Sequence, residues 1–157
     1  MYRTTKRRYN KTNWSHENKG CYIELTSTQA GLVQGGSNIV PSTTTQGTRT
    51  VGNWTITVPA PNDAGNIFWA LVYCPQGETT HPLFGTATNV EGSLYEPNQY
   101  VLASGISDPN EGPIRIRSRM KRKLQSGDFI SLILGASNGE LIGQSLNALV
   151  SYSIKYN

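Results

Sequence analysis

Apolar and polar residues alternate in three stretches of this chain. Cys21, Ile23 and Leu25 are interleaved with Tyr22, Glu24 and Thr26. Trp54, Ile56 and Val58 are interleaved with Asn53, Thr55 and Thr57. Val150, Tyr152, Ile154 and Tyr156 are interleaved with Ser151, Ser153 and Lys155. A period of two sends one set to each face of an extended segment, so each stretch predicts a half-buried strand. Two further runs, residues 67–74 and 129–134, are apolar on almost every position and rich in β-branched and aromatic residues. They are too short for buried helices and predict central strands. Their second apolar face needs a cover, either a second sheet or a neighbouring subunit.

Turn-forming residues separate these runs. Gly35-Gly36-Ser37-Asn38, Pro59 to Asp63, Pro75-Gln76-Gly77, Asp108 to Pro113, Ser126-Gly127-Asp128 and Asn138-Gly139 supply the positive or fixed φ values that turns need. Strands are predicted at about 20–29, 50–59, 66–74, 98–106, 114–124, 128–135 and 147–156, with a helical turn or two at most within residues 140–149. Many short strands without long helices predict an all-β sandwich or barrel. A jelly roll needs an eighth strand, which the pattern places at 86–95 or 138–146.

Charge changes the picture most. Residues 1–19 carry Arg3, Lys6, Arg7, Arg8, Lys11 and Lys19 against Glu17 alone, a net of +5. Between residues 20 and 113 the only basic residue is Arg49, against seven acids. The cations return as Arg115, Arg117, Arg119, Lys121, Arg122 and Lys123. The chain of 157 residues therefore divides into a basic N-terminal arm, 1–19, and one β domain, 20–157. Tyr2, Tyr9 and Trp14 lie among the arm's cations. Lys and Arg neutralise phosphates and aromatic faces stack on unpaired bases, so Arg3, Lys6, Arg7, Arg8, Tyr9, Lys11 and Trp14 are candidate contacts to single-stranded nucleic acid. A solvating or nuclear-targeting tail is the rival reading of the same cations.

At strand spacing, Arg115, Arg117, Arg119, Lys121 and Lys123 share one face. Ile114, Ile116, Met120 and Leu124 share the other, interrupted by Ser118 and Arg122. Like charges in a row repel unless an anion compensates them. The ladder contacts phosphate, or pairs with acidic loops across a subunit interface, or protects a solvated edge strand.

Catalysis finds no support. His16 and His81 stand outside any metal-ligand spacing, and nucleophile-elbow, Walker and dinucleotide motifs are lacking. The expectation is a protein that is not an enzyme, with no metal and no cofactor. Cys21 and Cys74, each within an apolar stretch, read as small buried hydrophobes kept reduced. No run reaches the roughly 18 apolar residues of a membrane span, and the basic head lacks the apolar core of a secretory signal. The sequons at Asn10, Asn13 and Asn53 are accordingly expected to stay unglycosylated.

Four tracts carry a resemblance: residues 46–56 (QGTRTVGNWTI), 69–77 (WALVYCPQG), 94–105 (LYEPNQYVLASG) and 118–128 (SRMKRKLQSGD). In this order, behind a basic head, the chain resembles the capsid proteins of small circular single-stranded DNA viruses, the circovirus-like group. The resemblance implies a single jelly-roll β-sandwich of two four-stranded antiparallel sheets. It also implies self-association of about sixty copies into an icosahedral shell. The arm would face a single-stranded DNA genome or incidental nucleic acid. The implied locations are the virion and, during assembly, the host nucleus, with a host attachment factor as a further partner. About sixty arms at +5 would supply roughly 300 charges, and an inward-facing basic strand would add to them. The competing readings are a glycan-binding jelly-roll module and a single-strand-binding β domain of another class.

Overall fold

The computed structural model describes residues 13–28, 32–59, 65–79, 100–136 and 141–157. The strands are β1 (Ser15–Glu24), β2 (Thr26–Thr28), β3 (Leu32–Val40), β4 (Arg49–Val58), β5 (Ile67–Cys74), β6 (Tyr100–Ser107), β7 (Ile114–Leu124), β8 (Phe129–Ala136) and β9 (Ser145–Tyr156). A short 3-10 turn, Pro109–Glu111, precedes β7.

Every pairing is antiparallel, and four of the pairings are nested: β5 with β6, β4 with β7, β3 with β8, and β1 with β9. This is one long hairpin rolled up on itself. Rolling brings β4 beside β9 and β5 beside β8. Two sheets result, β1-β9-β4-β7 and β3-β8-β5-β6. The three-residue β2 continues the β1 run across Leu25 and adds to β3 at the edge of the second sheet. The chain is a jelly-roll sandwich.

The alternating stretches do what their period requires. Ile23, Val51, Trp54, Ile56, Ile116, Val150 and Ile154 line the inner face of the first sheet, and all are buried. They meet Val33, Ile67, Leu71, Ile130, Leu132 and Leu134 from the second. Burying each such side chain contributes about 1.5–3 kcal/mol. Trp54 packs its ring on Tyr152 at 5.2 Å between centroids.

The continuous apolar runs became the two central strands β5 and β8. Their outer side chains form a second cluster of Ala70, Val72, Cys74 and Ile133, with Val101 and Phe129 against it. The four are buried in the isolated chain, so their cover does not await a neighbouring subunit. Cys21 lies in the main core and Cys74 in the outer cluster, and both are free thiols.

The structure departs from the sequence pattern in the places that follow. The eighth long strand is β3, which runs through Gly35-Gly36-Ser37-Asn38, residues expected to turn. A Cβ on Gly35 would lie 2.2 Å from the Glu24 backbone oxygen. The glycine is there because β1 and β3 approach closely where the chain passes between the sheets, not because the chain reverses. Within the expected helical stretch, Leu141 is in 3-10 conformation and Ile142–Gly143 form a turn closed by the Gln144 N–H to the Leu141 oxygen at 3.0 Å; β9 then starts at Ser145, so the rest of the stretch is strand. Strand β1 starts at Ser15, so residues 15–19 of the expected arm are hydrogen-bonded into the sheet opposite residues 150–154. The alternative eighth strand at 86–95 lies outside the described residues.

Candidate nucleic-acid interface

The outer face of the first sheet is built of cross-strand rows. Lys123, Thr50 and Lys155 form one row. Lys121, Gly52, Ser153 and His16 form the next, then Arg117, Thr55, Ser151 and Asn18, then Arg115, Thr57, Leu149 and Gly20. Strand β7 thus sets a column of cations along one edge. The strands beside it carry mostly short hydroxyl, amide and glycine residues; Gly52 and Ser153, in the Lys121 row, are buried, while Asn18, Gly20 and Thr55 are exposed. Lys155 extends the cationic end across the sheet, and His16 lies one row on, opposite Ser153. Among the described residues, the carboxylates on or beside the strands of this sheet are Glu17, exposed on the edge strand β1 between His16 and Asn18, Glu24 at the end of β1, and Asp108 and Glu111, which share with Arg115 the lining of a cavity of about 250 Å³. A face rich in Lys, Arg and hydroxyls and poor in carboxylates matches a phosphate backbone.

Arg115, Arg117, Arg119, Lys121 and Lys123 are all exposed, as strand spacing predicts. Met120 departs from expectation and is 47% exposed. The cause is a break in register. Gly52 pairs with Lys121 and Trp54 with Ser118, so Arg119 and Met120 on β7 face Asn53 alone on β4. Asn53 takes a left-handed φ of 55°. Against β9 the same stretch of β4 holds one residue too many. Two adjacent bulges therefore push Asn53, Arg119 and Met120 outward in the middle of the cationic column. Trp54 Nε1 donates to the Met120 backbone oxygen at 3.1 Å and pins the distortion.

Trp14 precedes β1, three strand positions from β7, yet the Lys121 ammonium lies 5.2 Å from its ring centroid. The two side chains reach toward each other across the outer face. The chain leading to the basic head thus starts on the same face as the cationic column. His16 Nδ1 and Ser153 Oγ are 3.1 Å apart beside them, and Ser151 Oγ donates to Asn18 Oδ1. Arg3, Lys6, Arg7, Arg8, Tyr9 and Lys11, like Tyr2 and His81, lie outside the described residues.

Arg122, which breaks the apolar face of β7, points inward and closes the sandwich end. Its guanidinium carbon lies 4.1 Å from the Tyr73 ring centroid, bridging the two sheets. Tyr73 donates its hydroxyl to Asp128 Oδ2 at 2.8 Å. Burial, then the bond to Asp128, raises the Tyr73 pKa above its ordinary value. Asp128 also accepts the backbone N–H groups of Gln125 at 2.8 Å and Gln76 at 3.1 Å. Arg49, the single cation of the middle region, is buried and donates to the backbone oxygens of Asp128 and Pro41, both at 3.0 Å.

Sequence reasoning missed Lys155, His16 and Asn53 as parts of this face. The alternation of β9 put Lys155 outward, but only the register sets it opposite Lys123 across Thr50. Among the described residues no group of three His, Cys, Asp or Glu side chains could hold a metal ion. No helix among them is long and apolar enough to cross a membrane.

No protein-family model matches the chain, and no curated protein matches it. Among solved structures, that of infectious bursal disease virus Gt strain aligns over 94% of this chain at 10% identity and a TM-score of 0.19. That of the Gx strain aligns over 92% at 16% identity and a TM-score of 0.21. The chain spans 41% of the length of each. Superpositions this loose carry no argument about fold or function.

Proposed function

We propose that this chain is the subunit of a viral coat, with a jelly-roll body that self-associates and a cationic inner lining that holds single-stranded nucleic acid. The observation that carries the reading is the outer face of the β1-β9-β4-β7 sheet. It gathers Arg115, Arg117, Arg119, Lys121, Lys123 and Lys155 with few carboxylates, on the face where the basic head begins. The role is structural and electrostatic rather than catalytic. Cations on a rigid sheet release the counterions of a polyanion, and the arm adds length and charge to the same track. Closed symmetry lets each subunit use several modest contacts at once. A circovirus-like shell of about sixty copies carrying single-stranded DNA, assembled in a host nucleus, is the specific form of this proposal.

Negative-stain microscopy and sedimentation of the purified full chain test it. Closed particles of megadalton mass, carrying nucleic acid, are expected. Deleting residues 2–11 leaves particles and removes most of the nucleic acid. A monomer or small oligomer in every buffer points instead to a jelly-roll binding module and ends the coat-protein reading. Undiminished packaging by the truncated chain ends the role given to the arm.

A further inference from the structure

Gly52 and Ser153 face outward in the Lys121 row, yet both are buried. At Gly52 the Lys121 side chain supplies cover. A Cβ there would lie 2.7 Å from Lys121 Cγ, so the lysine stem crosses β4 in space that any larger residue would fill. The ammonium at its tip sits 5.2 Å from the Trp14 ring centroid. Trp14 precedes β1, and the three steps from β7 to β1 span about 14 Å at strand spacing. Two long side chains laid toward each other bridge that distance. Lys121 and Trp14 thus form a strap across the cationic face.

The strap holds together the two kinds of group that a nucleotide needs. The Trp14 side chain is half-buried, so part of its surface is open to solvent. Glu17, the acid nearest to it in sequence, pairs with the core residue Tyr152 and so takes the other side of β1. The contact between the ammonium and the ring is an exposed cation–π interaction, a weak one. Two stronger interactions replace it when a nucleotide arrives. The ring stacks on a base, and the ammonium meets a phosphate. Because ring and ammonium already lie side by side, one nucleotide reaches both, and little freedom is lost in arranging them.

We infer that Trp14 and Lys121 form a seat for one unpaired base and its phosphate, and that this seat makes the cationic face select single strands over duplex. Bases inside a duplex are paired and stacked, and have no free face to offer the ring. The inference rests on the coat-protein reading for nucleic acid as the ligand.

An oligothymidylate is the probe, and a strand of abasic deoxyribose phosphates of equal length is its control, since the two differ in bases and not in charge. Fluorescence anisotropy of dye-labelled strands measures their binding to the full chain at fixed salt. The full chain is expected to bind the oligothymidylate about tenfold more tightly or better. Trp14→Leu keeps an apolar side chain without the ring, and is expected to cut that preference about fivefold, with Tyr2 and Tyr9 of the arm supplying the remainder. Trp14→Phe is expected to retain most of the preference. Lys121→Gln is expected to weaken both strands alike and to lower the salt slope by about 0.7, the share of one single-strand phosphate contact, with the preference left in place. A blunt hairpin duplex is expected to bind equally to the full chain and to Trp14→Leu. Circular dichroism confirms the fold of each variant.

An unchanged preference in Trp14→Leu overturns the seat. An equal loss for both strands in that variant also does so, and makes Trp14 a support for β1. Altered particle formation with unaltered strand binding overturns it as well, and assigns the strap to a contact between copies of this chain. Duplex binding that depends on Trp14 as strongly as the oligothymidylate does ends the selectivity. The seat and the coat-protein reading fail separately. Intact particles that bind both strands equally remove the seat alone. A Trp14-dependent preference without particles removes the coat-protein reading alone, and binding of neither strand removes both.

Discussion

Trp54 donates its indole N–H to the backbone oxygen of Met120, 3.1 Å away, at the one place where β4 and β7 fall out of register. The bond joins the centre of the core to the cationic column. Trp54 is 1% exposed, whereas Met120 is 47% exposed and flanked by Arg119 and Lys121. A buried side chain thus decides where a surface charge points.

Trp54→Phe keeps most of the packing and removes the donor. Its expected cost is about 1 kcal/mol for the lost bond plus a share of the lost ring volume, against about 3–5 kcal/mol for Trp54→Ala. Urea denaturation measures both. If the bond also holds the bulge, Trp54→Phe lowers the salt slope of oligonucleotide binding by about one contact as Arg119 loses its place. An unchanged slope would show that the bulge stands without the indole.

Gly35 and Gly36 make a paired test of β3. A Cβ at Gly35 meets the Glu24 backbone oxygen at 2.2 Å, a clash that only backbone movement can relieve. At Gly36 the nearest atom is the Leu132 backbone oxygen at 3.4 Å, ordinary contact. Gly35→Ala is expected to destabilise by about 1–3 kcal/mol, and Gly36→Ala to be neutral or slightly stabilising. Thermal or urea unfolding of the two variants checks this. Equal effects would return these residues to the turn that their composition suggests.

Asp128→Asn preserves size and alters chemistry at the sandwich end. Asp128 Oδ2 accepts from both Tyr73 and Gln125, and an amide nitrogen there would face two donors. Flipping the amide only moves the conflict to the Gln76 N–H. The expected loss is about 1–3 kcal/mol, since a buried donor is left without an acceptor. Tyr73→Phe removes a single bond and is expected to cost about 1 kcal/mol. Urea midpoints rank the pair, and a Tyr73→Phe as damaging as Asp128→Asn would contradict the account.

Alkali provides a pH test. Burial, then Glu78, pushes the Cys74 thiol from 9.0 to about 11. Burial, then Glu17, pushes the Tyr152 hydroxyl from 10.0 to about 12. Both groups are neutral in the fold and ionise more easily once unfolded. The native state therefore holds more protons between these values, and stability falls as pH rises. The contribution is intact below about pH 9 and is lost progressively up to about pH 12. Unfolding midpoints across that range are expected to fall. Cys74→Ala, corrected for its packing cost, is expected to flatten the lower part of the decline. A midpoint that stays constant from pH 9 to 11 would show that Cys74 has access to water.

Much of this fold is written in single residues and their neighbours. Period-two stretches identify β1, β4 and β9, and unbroken apolar runs identify β5 and β8, because side-chain direction in a strand depends on position parity alone. The same parity exposes Arg115, Arg117, Arg119, Lys121 and Lys123. Strand β3 escapes that reading because Gly35 and Gly36 mark a close approach to β1, a partner distant in the chain, and composition cannot tell a crowded strand from a turn. Met120 escapes it because a bulge is a mismatch between two strands and belongs to neither. Lys155 meets Lys123 across Thr50, Trp14 meets Lys121, and Arg122 finds Tyr73 on the opposite sheet, only once the hairpin has rolled up. Local pattern determines which residues face out, because it needs nothing beyond the backbone's own geometry. Which outward residues become neighbours is decided by register and sheet order, because those are set by pairing between segments far apart in the chain.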